Sequence, residues 1–250
     1  MKILGCVTVA MALATLAAAP AFAQSSGNFT YGSNGGTTHC VLQSNGNITG
    51  GQTCQETCTL QPDGSVVCTG DGQGSGLCIG GFGVGIKTSS GSGNVFVMRP
   101  SAVIGLLTDV SLAKNSTASV GSSSALAGVD FSIDVKPAPA KVIPDYPVTY
   151  ASRFVQISSN LFDVLGTTCT TVSATNPSGS CVFDFTESTV SAHSFDWIAT
   201  GLSSGQYVVT VNWSSSLGND GIGRALTCVG PVNFTVDQKK VFQFNKTNSF

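Results

Sequence analysis

The sequence predicts an all-β protein, an antiparallel β-sandwich of jelly-roll type that carries a Gly/Cys-rich, disulfide-stapled N-terminal segment. Beyond residue 94, apolar and polar side chains alternate, most clearly over Val129–Val135, with the period of two that a half-buried strand requires. Many short runs of this kind are separated by turn residues, which is typical of sandwiches and barrels. A helical periodicity is scarce by comparison.

Strand candidates recur through the second part of the chain. In order they are Val95–Met98, Val103–Leu107, Val129–Val135, Val148–Ile157, Cys181–Phe185, Phe195–Ile198, Tyr207–Trp213, Val232–Val236 and Val241–Phe244. Prolines within 136–147 predict an extended connection there, because proline cannot donate a ladder hydrogen bond. Tight turns are predicted at Asn176–Gly179 and at Ser203–Gly205. The best helix candidate is Ser101–Leu112, which Gly105 weakens.

The N-terminus has the features of an export signal. Lys2 precedes the apolar run Ile3–Ala19, and Ala21-Phe22-Ala23 fits a signal-peptidase site that would make Gln24 the first mature residue. We therefore expect a secreted, periplasmic or cell-surface protein with no membrane insertion of the mature chain. A lipoprotein signal at Cys6 is the weaker alternative, because a lipobox cysteine follows the apolar run.

The composition divides the chain into three parts. Residues 1–23 form the signal peptide, residues 24–93 a Gly/Cys-rich disulfide segment and residues 94–250 the β-sandwich. The many glycines of the middle part favour short strands and hairpins over long regular elements. Pro62–Gly64 predicts a turn within it.

Cysteine number and position predict a disulfide framework. Of the nine cysteines, all except Cys6 follow the signal peptide, and five precede residue 94 while three follow residue 168. If all eight pair, at least one bond must join the N-terminal segment to the sandwich. We expect Cys169–Cys181 as the local bond and Cys228 as one end of the crossing bond. The eight are Cys40, Cys54, Cys58, Cys68, Cys78, Cys169, Cys181 and Cys228.

Two chemical alternatives to disulfides are disfavoured. His39 and Cys40 with Cys54-x-x-x-Cys58 could suggest zinc, but structural zinc sites have tighter paired ligands. Redox catalysis would use C-x-x-C, which is absent. We therefore expect no metal and no cofactor.

Charge excludes one class of partner. Only 10% of the residues are charged and the net charge is −2, so no clustered basic face is available for nucleic acid. Surface polarity must come from serine, threonine, asparagine and glutamine, which suits strands with hydroxyl-rich outer faces.

No catalytic constellation stands out. Ser191 and His193 share one strand face, while Ser194 and Asp196 share the other, so adjacency alone makes no triad. The nucleophile-elbow motif G-x-S-x-G is absent. Paired carboxylates could hydrolyse glycosides, but the sequence selects no such pair.

Aromatic residues are the candidate ligand contacts. Trp197, Trp213 and Tyr207, with Tyr146 and Tyr150, could stack on sugar rings. The alternative is that they lie in the core, since the two tryptophans share strand parity with apolar neighbours. Both interpretations stay open at the level of sequence.

One stretch resembles a known architecture. Ser191–Ile198, a glycine-containing turn and Gly205–Trp213 are similar to strand pairs of jelly-roll sandwiches, including tumour-necrosis-factor-like and complement-globular-head-like domains and exported bacterial sandwiches. The resemblance implies the architecture and transfers no functional residue.

The function that follows is a broad one. We expect an exported, non-enzymatic β-sandwich that acts by binding or as a surface or structural component, with carbohydrate or another cell-surface component as partner. The alternative is a secreted carbohydrate-active hydrolase whose carboxylates the sequence does not identify.

Overall fold

The computed structural model describes residues 28–34, 39–61, 65–70, 78–88, 93–114, 122–139, 141–158, 160–161 and 181–240. Its fourteen elements are all strands. They are β1 (Phe29–Ser33), β2 (Val41–Leu42), β3 (Ile48–Thr49), β4 (Gln52–Leu60), β5 (Val66–Gly70), β6 (Ile79–Lys87), β7 (Asn94–Lys114), β8 (Ser122–Lys136), β9 (Lys141–Ile143), β10 (Val148–Ser158), β11 (Cys181–Ser194), β12 (Trp197–Thr200), β13 (Gln206–Asp220) and β14 (Ile222–Lys240).

Two antiparallel sheets pack face to face and confirm the predicted β-sandwich. The eight-stranded sheet has the order β5-β4-β14-β7-β12-β9, with β1 also paired to β14 and β11 also paired to β7. The four-stranded sheet has the order β10-β8-β13-β6. Strands β1, β4 and β6 come from the Gly/Cys-rich segment, so this segment contributes strands to both sheets.

The chain passes from one sheet to the other at Gly221, between β13 and β14. This residue has a φ of +83°, and a Cβ there would lie 2.6 Å from the Ser122 carbonyl oxygen. Glycine is the residue that accepts both the left-handed backbone and the close approach. The corner therefore depends on the absence of a side chain.

The main core lies between the two sheets and contains a column of aromatic rings. Trp213 stacks on Phe131 at 5.8 Å between ring centroids, Phe131 on Tyr150 at 4.1 Å, and Tyr150 on Trp197 at 6.2 Å. Burial of such rings is the largest single contribution to a core of this type. The Tyr150 hydroxyl donates to the Pro100 carbonyl at 2.9 Å, so its polar end is satisfied.

A smaller core covers part of the outer face of the eight-stranded sheet. The β2–β3 hairpin lays Ile48 over Gly105, where a Cβ would be 3.0 Å from the Ile48 side chain. Leu107, Leu226 and the Cys40–Cys228 disulfide are buried in the same cluster. At this point β7 is therefore covered on both faces.

Three disulfides join the described cysteines. Cys40–Cys228 is the expected bond between the N-terminal segment and the sandwich, and Cys54–Cys78 and Cys58–Cys68 lie within the segment. The Cys169–Cys181 pairing lies outside the described residues, because Cys169 and the Cys181 side chain are not described. Intramolecular disulfides indicate a non-cytosolic protein.

Three predictions of local structure were wrong. Within the predicted connection 136–147, Lys141–Ile143 forms β9 and pairs with β12. Ser101–Leu112 belongs to the 21-residue strand β7 and forms no helix. Long strands were not expected before residue 94, yet β4 and β6 have nine residues each. The signal peptide, the Asn176–Gly179 turn and the Val241–Phe244 strand lie outside the described residues.

Among the described residues, no helix has the length and apolar character needed to cross a membrane.

Candidate functional site

Of the five aromatic residues predicted as ligand contacts, Tyr146 is exposed and the other four, Trp197, Tyr207, Trp213 and Tyr150, lie in the core. Trp197 is 1% exposed, Tyr207 4% and Trp213 5%. A ring so deeply buried offers no free face to a sugar, so these residues do not form the stacking platform that the sequence allowed. The alternative interpretation, that they belong to the core, is the one that the structure supports.

Local contacts explain why these rings point inward. The Trp213 indole nitrogen donates to the Gln52 side-chain oxygen at 2.9 Å. A Cβ on Gly80 would lie 2.2 Å from the same indole, so the ring lies flat on a strand that has no side chain there. The Tyr207 hydroxyl accepts a hydrogen bond from the Ser203 backbone N–H at 3.0 Å. Both polar groups are thus satisfied inside the molecule.

Two other aromatic rings are exposed side by side on β1. Phe29 is 61% exposed and Tyr31 75%, and their ring centroids are 6.2 Å apart. We call this pair the aromatic platform. Its orientation is fixed by Gly32, where a Cβ would lie 2.6 Å from the Val84 side chain. Because alternate residues of a strand face opposite sides, Gly32 against the core places Phe29 and Tyr31 outside.

An apolar row continues from the aromatic platform across the outer face of the eight-stranded sheet. Phe29 lies opposite Asp237, Asp237 opposite Val97, Val97 opposite Ile198, and Ile198 opposite Ile143. Ile198 and Ile143 are exposed and Val97 is half-buried. With strands about 4.8 Å apart, these five positions span about 19 Å. The result is an open strip across one face of the sheet.

Polar groups beside the strip neutralise one another. Arg99 donates two hydrogen bonds to the Asp196 carboxylate, at 2.6 and 2.7 Å. The Arg99 hydrogen bond lowers the pKa of the Asp196 carboxyl, so this group stays ionised and paired. Asp237 pairs with Lys239 in the same way. The strip therefore offers hydrogen-bonding groups with little net charge.

The Ser191–His193 arrangement is partly as expected. Both residues lie on one strand face, and Ser191 Oγ is 2.6 Å from His193 Nε2. Asp196 is engaged with Arg99 and does not orient the imidazole. Among the described residues, no carboxylate is hydrogen-bonded to His193. A Ser–His contact without an orienting acid is incomplete as a triad.

The two glutamates have structural surroundings. Glu56 is buried and accepts a hydrogen bond from the Asn219 side-chain amide at 3.0 Å. Glu187 lies 3.5 Å from Arg153. These contacts place the two glutamates in different environments and give neither an obvious catalytic partner.

One cluster has the donor atoms of a metal site. The Glu56 carboxylate and the sulfurs of Cys58 and Cys68 lie within 4.8 Å of one another. Both sulfurs are joined in a disulfide, and zinc requires thiolates. The alternative zinc set of His39, Cys40, Cys54 and Cys58 does not assemble, because its three cysteines belong to three different disulfides.

Comparison with known proteins assigns no family to this chain. No protein-family model matches the chain, and no curated protein matches it. The resemblance at residues 191–213 also needs correction in detail, because β12 and β13 lie in different sheets and do not pair with each other.

Phe29 and Tyr31 of the aromatic platform were not among the residues predicted from the sequence. The alternation of Phe29, Thr30 and Tyr31 is a two-residue period that could have revealed a strand. Which face of that strand meets solvent depends on Gly32 and its contact with β6, and no local sequence pattern contains that information.

Proposed function

We propose that this chain is an exported, non-enzymatic β-sandwich protein that acts by binding, and that its ligand is an uncharged polysaccharide of a cell surface or matrix. The observation that carries the proposal is the aromatic platform, two adjacent rings that are 61% and 75% exposed. Exposed aromatic side chains in one place usually mark an interaction site.

The shape of the surface favours an extended polymer over a small molecule. The strip from Phe29 to Ile143 crosses five strands on one exposed face of the sheet, whereas small-molecule sites are concave. A sugar chain presents alternating C–H faces and hydroxyl groups. The C–H faces would stack on Phe29 and Tyr31. The hydroxyl groups would contact Thr235, Asp237 and Arg99 in the neighbouring register positions.

The charge distribution favours an uncharged ligand. Arg99 and Asp196 pair with each other, as do Lys239 and Asp237, so these four charged groups add no net charge with which to attract an ionic polymer. Binding should therefore change little with ionic strength, in contrast to a charged complex.

The hydrolase alternative finds less support. A glycosidase needs two carboxyl groups across a groove, about 5–10 Å apart. Near the platform, Asp196 and Asp237 are each neutralised by a cation, and their surface is open. The observations beside the platform thus favour binding without hydrolysis.

The test is retention by insoluble polysaccharides or affinity electrophoresis in soluble ones, over a panel of neutral and charged polymers. We expect the chain to bind at least one neutral polymer. Phe29→Ala and Tyr31→Ala should each weaken that binding by about 2 kcal/mol, or about 30-fold. Phe154→Ala is the matched control, because Phe154 is also 61% exposed but lies on the four-stranded sheet.

Failure would be plain. If the unmodified chain binds none of the neutral polymers, or if Phe154→Ala weakens binding as much as Phe29→Ala, the aromatic platform is not the binding site. Release of reducing sugar by the unmodified chain would support the hydrolase instead.

A further inference from the structure

A cavity lies on the other sheet, at the end where β6, β8 and β13 come together. Its volume is about 600 Å³, and its lining consists of Gly85, Ile86, Lys87, Lys136, Pro137, Gln206, Tyr207 and Val208. Small-molecule sites commonly have volumes of about 300–1,000 Å³. The proposed polysaccharide surface involves none of these residues.

One position of the cavity lining, Gly85, has no side chain. Val208 lies opposite Gly85 on one side and opposite Lys136 on the other. A Cβ on Gly85 would meet no atom within 4 Å, so its position opens directly onto free space. The backbone at Gly85 does not have the positive φ that would require glycine. A larger residue could therefore occupy the cavity without straining the strand.

The chemistry of the lining is amphiphilic. Val208 is apolar and 52% exposed, and Pro137 lies next to it in the lining. Covering such an exposed apolar side chain with a hydrocarbon is favourable. The free energy gained is about 25 cal/mol for each Å² of apolar surface removed from water. The apolar part of the cavity thus favours a ligand with a hydrocarbon body.

The charged part favours an anion. Lys136 is 3.2 Å from Asp134, but both side chains are well exposed, so this pair holds the lysine weakly. Lys87 has no carboxylate partner within ion-pair distance among the described residues. Two lysines against one aspartate leave an excess positive charge at the cavity, although the chain as a whole carries a charge of −2.

We propose that this cavity binds a small amphiphilic carboxylate of the medium-chain fatty-acid class. The hydrocarbon chain covers Val208 and Pro137, and the carboxylate lies near Lys87 and Lys136. The Tyr207 hydroxyl takes no part, because it is hydrogen-bonded to Ser203.

The first experiment tests the location with laurate, by isothermal titration calorimetry and by displacement of the fluorescent probe anilinonaphthalene sulfonate. Gly85→Leu fills the cavity and should weaken laurate binding by about tenfold or more. Gly218→Leu is the control on the same face of β13, where a Cβ would meet only Leu126 at 3.9 Å. It should bind laurate as the unmodified chain does.

The second experiment tests the charge. Lys87→Gln and Lys136→Gln should each weaken laurate binding by about fivefold, and more at low salt than at high salt. Lys141→Gln, on β9 of the other sheet, should have no effect. Dodecanol, which has the same chain length as laurate and no charge, should bind more weakly than laurate and should not respond to the lysine substitutions.

Several results would overturn the proposal. No laurate binding by the unmodified chain would do so, as would equal binding by Gly85→Leu when its denaturation midpoint matches that of the unmodified chain. Equal affinity for dodecanol and laurate would remove the role of Lys87 and Lys136. Polysaccharide binding should persist in Gly85→Leu, so failure here is distinguishable from failure of the aromatic platform.

Discussion

Removal of the Cys40–Cys228 disulfide should cost more stability than removal of any other described disulfide. The bond joins residues 188 positions apart, whereas Cys58 and Cys68 are 10 apart. In the chain-entropy account, a cross-link lowers the entropy of the unfolded chain by an amount that grows with the logarithm of the loop length. The loss amounts to about 5 kcal/mol for the long loop and about 3 kcal/mol for the short one.

The structure adds a local consequence to this difference. Cys40 and Ile48 are buried against Leu107 and Leu226, and the hairpin that carries them is only two residue pairs long. Such a hairpin is marginal by itself. Without the bond to Cys228, the β2–β3 hairpin should leave the sheet and expose the smaller core, while the main core between the sheets stays intact.

The assay is guanidinium unfolding of Cys40→Ala/Cys228→Ala beside Cys58→Ala/Cys68→Ala, without reductant. We expect the first double variant to lose about 2 kcal/mol more than the second. Limited proteolysis should cut near the hairpin in the first variant only. Equal losses, or a hairpin that resists protease without its disulfide, would refute the reasoning.

Two further predictions concern the main core. Gly80→Ala should destabilise the chain by about 1–3 kcal/mol, because the new methyl group would overlap the Trp213 indole. Gly85→Ala, whose methyl group would meet no atom within 4 Å, is the control in the same denaturation experiment. Equal denaturation midpoints for the two variants would contradict the packing described. Burial raises the pKa of the Tyr150 hydroxyl, so its contribution to stability is complete below the unfolded pKa of about 10 and is lost as the pH rises above it. Between pH 7 and about pH 11, Tyr150→Phe should therefore lose less stability than the unmodified chain. At pH 7 the variant should be less stable by about 1 kcal/mol, because it lacks the hydrogen bond to the Pro100 carbonyl. Parallel pH profiles of stability would show that this hydroxyl does not titrate as described.

The sequence predicted the sandwich because its strands are half-buried. In β8 the residues from Val129 to Val135 alternate between core and solvent, so the two-residue period was visible. A crossing disulfide was predictable from parity if all eight cysteines pair, since an odd number lies on each side. Its end at Cys228 followed from assigning Cys169 and Cys181 to a local bond, which lies outside the described residues.

The same reasoning failed where both faces of a strand are covered. Val103–Leu107 in β7 is a nearly continuous apolar run, because the hairpin with Ile48 covers the outer face of the sheet. A short apolar run of this kind does not distinguish a strand from a buried helix. Val103–Leu107 was therefore predicted as a strand while Ser101–Leu112 was also the best helix candidate, and the structure confirms the strand.

The candidate sites were less predictable from the sequence than the fold. In β6, Gly81, Gly83 and Gly85 alternate with Phe82 and Val84, a strand pattern that glycine content obscured. Whether a glycine lines a cavity, as at Gly85, or receives a buried ring, as at Gly80, depends on the opposing strand. The exposure of the platform rings depends in the same way on packing between distant segments.

Chemical-shift mapping of an isotope-labelled chain tests the central claim, binding at the aromatic platform, most directly. A soluble oligosaccharide from a retained neutral polymer would be titrated into the protein while backbone amide resonances are followed. We predict that the shifts concentrate in β1 and in the facing residues Thr235, Asp237 and Arg99. Shifts confined to the four-stranded sheet or to the surroundings of His193, with β1 unchanged, would contradict the account.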